Sequence, residues 1–213
     1  MRIILVRHGQ TKWNKDEVFR GRADVPLDDT GTAEAEATAS ALASVEMAAV
    51  YSSPLARAHE TARIIARPHS LLVRAVDGLA DIDCGAWEGL SVEEARSKYP
   101  QVFEAWQNAP HTVTFPEGES LDDVAARATS ALQEIQASHA ENETVVIVSH
   151  RVVNKLLLLW VLGLGSSAFW KIRQDTCCIN VISHGPAGFV LHALNDRCHL
   201  ARCRPFPDAQ RDF

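Results

Sequence analysis

The chain has 213 residues, 46% of them hydrophobic and 23% charged, which fits one globular domain with a substantial core. A net charge of -6 argues against nucleic acid and anionic membrane as partners, and the longest late apolar stretch, Val152 to Leu164, carries Asn154 and Lys155 and is too short to span a bilayer. Five cysteines without CxxC spacing point to reduced thiols rather than a disulfide framework, and Cys198, His199 and Cys203 lie close together without a matching ligand pair for zinc.

The first strand-like run, Arg2-Val6, starts almost at Met1. It leaves no room for a signal peptide, so a cytoplasmic protein is expected. Ile3-Ile4-Leu5-Val6 stops at Arg7-His8-Gly9, which sets a guanidinium and an imidazole at the carboxyl end of a buried strand, where open α/β sheets bind ligands. Gly9 reads as a tight exit that lets backbone approach a ligand. Arg holds oxyanions with a planar fork of donors, and neutral His is a nucleophile, so the pair suggests phosphate chemistry. A helix-like run, Gly31-Ser44, leads to the strand-like Ala48-Ser52. Ser53-Pro54 then opens the helix-like Leu55-Ala66, with Arg57 in its first turn, where its charge adds to the helix dipole.

Leu71-Val76 is strand-like and gives way to a loop holding Asp81, Asp83, Cys84 and Trp87 between glycines. A protonated carboxyl in such a loop helps an ester oxygen leave. From Gly89 to Glu119 the pattern is less regular. Helix-like Val92-Tyr99 and Gln101-Ala109 are punctuated by Pro100, Pro110 and Pro116, and residues 89–119 read as a cap-like insertion over the site. Ser120-Leu121-Asp122-Asp123 resembles a capping box at the head of the helix-like Leu121-Ala140. Thr144-Ser149 is a second strand that ends in His, at His150, and the helix-like Val152-Leu162 follows at once, offering backbone N–H donors to an anion. Cys177-Ser183 and Phe189-Leu194, around Gly185-Pro186, read as a hairpin. This alternation predicts an α/β fold: a three-layer αβα sandwich in one domain over residues 1–213. Its central sheet is mostly parallel with one antiparallel edge, and it carries a small helical cap segment.

The blocks Leu5 to Asn14, Ser52-Ser53-Pro54-Leu55-Ala56-Arg57-Ala58, Gly85-Ala86-Trp87-Glu88-Gly89, Gly118-Glu119-Ser120 and Ser149-His150 resemble the histidine phosphatase superfamily. The similar branch is the one that includes cofactor-dependent phosphoglycerate mutases. Gly21, Asp24, Pro26, Leu27 and Gly31 follow the same pattern. The resemblance implies a phosphomonoesterase that needs no metal or other cofactor and acts through a phosphohistidine. It casts His8 as the nucleophile and Arg7, Arg57 and His150 as the phosphate pocket, with Asn14 and Gly21 adding contacts. Asp81 falls where the family usually has a Glu proton donor, and Asp83 ranks second for that role. His8 must be neutral and His150 works better charged, so their pKa values are expected to be pushed apart.

Three positions depart from the family pattern. Gln10 stands where Glu is commoner, Asp81 is one methylene short, and Arg151 replaces a small residue, often Gly. Arg151 and Lys155 either add positive charge at the mouth or are solvated helix charges. Cys84 either touches substrate or is a packed thiol. Between Glu88 and Glu119 the basic residues other than His111 are Arg96 and Lys98, fewer than a mutase cap implies, which favours hydrolysis. Mutase-type phosphoryl transfer and a weakly active phosphate-binding relative are the alternatives. Tyr99-Pro100, Trp106, Pro110-His111 and Gly118-Glu119-Ser120 resemble the cap of metal-independent phosphoserine phosphatases. Phosphoserine therefore leads as substrate, ahead of sugar phosphates, phosphoglycerates and α-ribazole phosphate. A homodimer is expected only because relatives often form one.

Overall fold

The structure, a computed structural model, describes residues 1–200; of the sequence expectations, Cys203 lies outside the described residues. Six strands form one sheet in the order β3-β2-β4-β1-β5-β6. They are β1 (Arg2–Arg7), β2 (Ala49–Ser52), β3 (Val73–Ala75), β4 (Thr144–Ser149), β5 (Ile179–Gly185) and β6 (Gly188–Asp196). β1, β4, β2 and β3 run parallel, while β5 is antiparallel to both β1 and β6. This is the expected mostly parallel sheet with an antiparallel edge, and the hairpin turn falls at Pro186-Ala187.

The apolar runs are continuous because the parallel strands are covered on both faces. Ile3, Leu5, Ala49, Tyr51, Val145 and Ile147 belong to one buried cluster, and Ile4, Val6, Val50, Val146 and Val148 belong to the other. The second cluster is closed by α2 (Asp29–Leu42) and α3 (Ala56–Ala66), which follow the one-turn helix α1 (Lys12–Lys15). On the first face lie α6 (Leu121–Ala137) and α7 (Arg151–Val161). A one-residue slip of β1 would exchange the two sets of side chains, so both faces hold the register. α7 is buried from Arg151 through Leu159, as an all-round apolar helix must be.

The segment between β3 and α6 carries α4 (Val92–Lys98) and α5 (Pro100–Asn108). Its Phe103 and Phe115 pack on Trp87, and Trp106 packs on Phe115, in the same cluster as β1 and α7. Ser120 caps α6 as the sequence predicts: its hydroxyl accepts from Asp123 N–H while the Asp123 carboxylate accepts from Ser120 N–H. α3 differs from expectation. It starts at Ala56, two residues after Pro54, and its open amino end is met by Asp24, whose Oδ1 accepts from Ala56 N–H at 2.7 Å. Among the described residues no helix is long and apolar enough to cross a membrane.

Candidate active site

Strand register assembles the site. Arg7 pairs with Ser149 across β1 and β4, and Ser52 pairs with Val148 across β2 and β4. The residues that follow, His8, Ser53 and His150, therefore leave the same sheet edge side by side. His8 N–H still donates to Ser149 O, and Ser53 N–H to Val148 O, so the exits are held by the ladder itself. The rings of His8 and His150 lie 5.2 Å apart, centroid to centroid, with 1% and 0% exposure.

His8 Nδ1 lies 2.7 Å from Gly9 O. A carbonyl only accepts, so Nδ1 carries the proton and Nε2 keeps its lone pair. His150 Nε2 lies 2.7 Å from Ser53 Oγ, and its Nδ1 faces Asp81 Oδ2 at 3.5 Å. Buried Arg57, on the first turn of α3, donates to Ala23 O, to Gly21 O and to Asp81 Oδ2 at 3.2 Å. Buried Arg7 donates to Gln174 O. Asp81 is itself only 6% exposed, and its Oδ1 accepts from Ile82 N–H.

Both imidazoles are held well below the ordinary histidine pKa. Burial is the main cause and the Arg57 guanidinium the next, with Arg7 and Arg20 adding to it. The expected split between a neutral His8 and a charged His150 is therefore not met: the surrounding guanidiniums penalise a proton on either ring.

The structure brings Arg7, His8, Arg57, Asp81 and His150 together. Gly21 joins them through its carbonyl, at a φ of +48° where a Cβ would strike Glu88. The Asn14 carbonyl oxygen caps α1 by accepting from Thr11 N–H, which leaves its amide nitrogen as a donor. Asp83 turns to structural work instead. Its Oδ1 accepts from Gly85 N–H, and its other oxygen stands 4.0 Å from Arg22. A cavity beside Asp81 is lined by Cys84 and Arg151 but not by Asp83. Burial pushes the Cys84 thiol far up, so it stays protonated. Neither Arg151 nor Lys155 is a solvated helix charge: they are 8% and 2% exposed, and the Lys155 ammonium rests on Phe169 and Trp170, under 5 Å from each ring centre. Gly9 also differs from expectation, because the close approach that forbids a side chain there is made by the Gly31 carbonyl.

Three contributors went unread in the sequence. Ser53 orients His150. Arg20 lines the cavity beside Asp81. Arg127 of α6 donates to Gly78 O, Ala80 O and Asp81 O and pairs with Glu119, which in turn accepts from Asp83 N–H. The Gly118-Glu119-Ser120 block signals Glu119, but nothing in the helical pattern singles out Arg127.

Comparison with known proteins shows the family to which the chain belongs. A model of the histidine phosphatase superfamily (branch 1) matches residues 3–197. Phosphoserine phosphatase 1 of Hydrogenobacter thermophilus is 38% identical over 94% of either chain. A 2-carboxy-D-arabinitol-1-phosphatase of Triticum aestivum is 32% identical over 87% of this chain, which spans 37% of that longer protein. Among solved structures, Bacillus stearothermophilus YhfR superposes with a TM-score of 0.89 at 33% identity, covering 93% of this chain and 98% of its own. The mycobacterial glucosyl-3-phosphoglycerate phosphatase Rv2419c superposes with a TM-score of 0.85 at 28% identity, covering 92% and 99%. With the signature residues gathered at one sheet edge and the match running nearly end to end, the chain belongs to the histidine phosphatase superfamily and is a phosphoric monoester hydrolase.

Proposed function

We propose that this phosphatase hydrolyses O-phosphoserine, through a phosphohistidine on His8. The observation that carries the reading is the His8 tautomer: Nδ1 is committed to Gly9 O, so Nε2 is the nitrogen that keeps a lone pair for attack. In the first step Nε2 attacks phosphorus, the P–O ester bond breaks, and Asp81 gives its proton to the leaving oxygen. In the second, Asp81 takes a proton from water, water oxygen attacks phosphorus, and the P–N bond breaks to return neutral His8 and inorganic phosphate. Arg7 and Arg57 hold the equatorial oxygens and offset their charge. A phosphate dianion reverses the field felt by His150 and lets it protonate and donate.

Phosphoserine is favoured by the similarity to a phosphoserine phosphatase along almost the whole chain. Hydrolysis is favoured over mutase chemistry by the cap, where the Arg96 guanidinium lies over the Phe103 ring rather than at the site. A cytoplasmic location agrees with buried Cys84, Cys177 and Cys178, none of them in a disulfide. The homodimer rests on the family resemblance alone, and light scattering on the purified protein reads it.

The test is phosphate release from O-phosphoserine together with acid-labile labelling of His8. Wild type is expected to show both, and His8→Ala to lose at least about a thousandfold in kcat. Hydrolysis that survives in His8→Ala, or isomerisation of a phosphoglycerate without phosphate release, would overturn the reading.

A further inference from the structure

Arg7 leans on a carbonyl that no strand or helix holds in place. Its guanidinium donates to Gln174 O, and Gln174 lies in the irregular segment that leads into β5. A side-chain pair fixes that segment instead. Gln174 Nε2 donates to Asn180 Oδ1 at 2.7 Å, and Asn180 Nδ2 donates back to Gln174 Oε1 at 2.9 Å. Both residues are 0% exposed. An amide carries two donor hydrogens and two acceptor lone pairs, and here every one is used. Asn180 also donates to Leu5 O and accepts from Asn195 N–H, while Gln174 also donates to Arg173 O and accepts from Cys178 Sγ.

The backbone is shaped around this pair. Ile179 faces Asp196 and Val181 faces Ala193 across β5 and β6, so Leu194 and Asn195 together oppose Asn180. Asn195 takes a φ of +53° at this bulge, which brings its N–H to the Asn180 side chain. On the other side Cys177, at a φ of +50°, donates its N–H to Arg7 O. The ties thus reach β1 at Leu5 and at Arg7. Two apolar side chains would fill the same space without burying polar groups. They would not fix the direction of the Gln174 peptide.

We propose that the Gln174–Asn180 amide pair positions Arg7: it sets the Gln174 carbonyl, and through it the direction from which the Arg7 fork meets a phosphoryl oxygen. The proposal rests on the reading of Arg7 as part of the phosphate pocket and deepens it. A guanidinium recognises an oxyanion by direction as well as by charge, so a loosened carbonyl costs phosphate affinity while the charge stays in place.

The test is the affinity of the full chain for orthovanadate, measured by calorimetry, which needs no turnover. Gln174→Met removes the reciprocal pair and leaves Asn180 its bonds to Leu5 and Asn195. It is expected to weaken binding roughly tenfold, the range of one misdirected charge-assisted hydrogen bond. Asn180→Leu is expected to weaken it by a similar factor, and Gln174→Met decides alone if that variant does not fold. The same substitutions are then made beside Arg7→Lys, which keeps the charge and removes the fork. There each is expected to cost less than about twofold, because the group they aim is gone. A merely structural role would weaken binding by the same factor whatever stands at position 7. Wild-type affinity in Gln174→Met, or a tenfold loss that persists beside Arg7→Lys, overturns the positioning role alone. Wild-type affinity in Arg7→Lys by itself overturns the pocket reading of Arg7, and the positioning role with it.

Discussion

His8 meets the pocket with its choice of nitrogen already made, because Gly9 O takes the Nδ1 proton. Asp81 is less settled in its surroundings. Its Oδ2 stands 3.2 Å from Arg57 and 3.5 Å from His150, so the carboxyl sits between these two side chains rather than apart from them. A Glu at this position would carry its carboxyl about 1.5 Å further from the backbone. The proposed role of Asp81 as acid has a clear consequence. Asp81→Asn is expected to lower kcat for phosphoserine by about 10² to 10⁴ while costing aryl phosphates, whose leaving groups need no proton, less than about tenfold. Steady-state kinetics on an alkyl and an aryl ester check this, and equal losses on both rule out proton donation by Asp81. At this scale the sequence was informative where a polar residue ends an apolar strand, as at His8 and His150. Arg20 and Arg151 lacked that contrast, since an arginine outside a strand has no pattern that separates a buried group from a solvated one.

The loop that carries Asp81 has little regular structure of its own, and its backbone polar groups are met from elsewhere. Arg127 takes the carbonyls of Gly78, Ala80 and Asp81, Ser149 Oγ donates to Leu79 O, and Glu119 takes Asp83 N–H. Asp81 is thus aimed by α6 and β4, elements distant in sequence. Arg127→Met keeps the volume but frees three carbonyls and, among the described residues, leaves Glu119 with only the exposed Arg22 as an ionic partner. It is expected to cost about 2–4 kcal/mol of stability and to lower kcat on phosphoserine by roughly ten- to hundredfold through misplacement of Asp81. Arg127→Lys is expected to rescue little, because a single ammonium cannot span three carbonyls. Denaturant unfolding paired with kinetics measures both effects, and full activity in a destabilised Arg127→Met would show that the loop keeps its shape unaided. The helices and strands were legible from periodicity because each buries an apolar stripe or run. This tethering was not, because it depends on pairings between residues about fifty positions apart.

Across the molecule, one sheet edge holds two uncharged imidazoles and several guanidiniums under a buried roof, inside a chain whose net charge is negative. That arrangement opposes stability in acid. His8 and His150 have folded pKa values depressed well below 6.5, so as pH falls the unfolded chain binds protons that the folded chain refuses. Stability therefore falls with pH below about 6.5, and these two groups add no slope above it. Each contributes at most about 1.4 kcal/mol per pH unit, or about 2–3 kcal/mol together between pH 7.5 and 5.5. His199 is displaced in the same direction and Glu34 in the opposite one, so the assignment rests on variants. Urea unfolding at the two pH values is expected to show a smaller loss for the His8→Gln/His150→Gln double variant than for wild type. Saturating orthovanadate, which supplies the anion that a charged His150 can serve, is expected to flatten the wild-type profile as well. If the double variant and the wild type lose stability equally, the buried imidazoles are not the source of the acid sensitivity. If they differ but vanadate leaves the slope unchanged, His150 does not take up a proton when the pocket fills, and its part in transfer reduces to a neutral hydrogen bond.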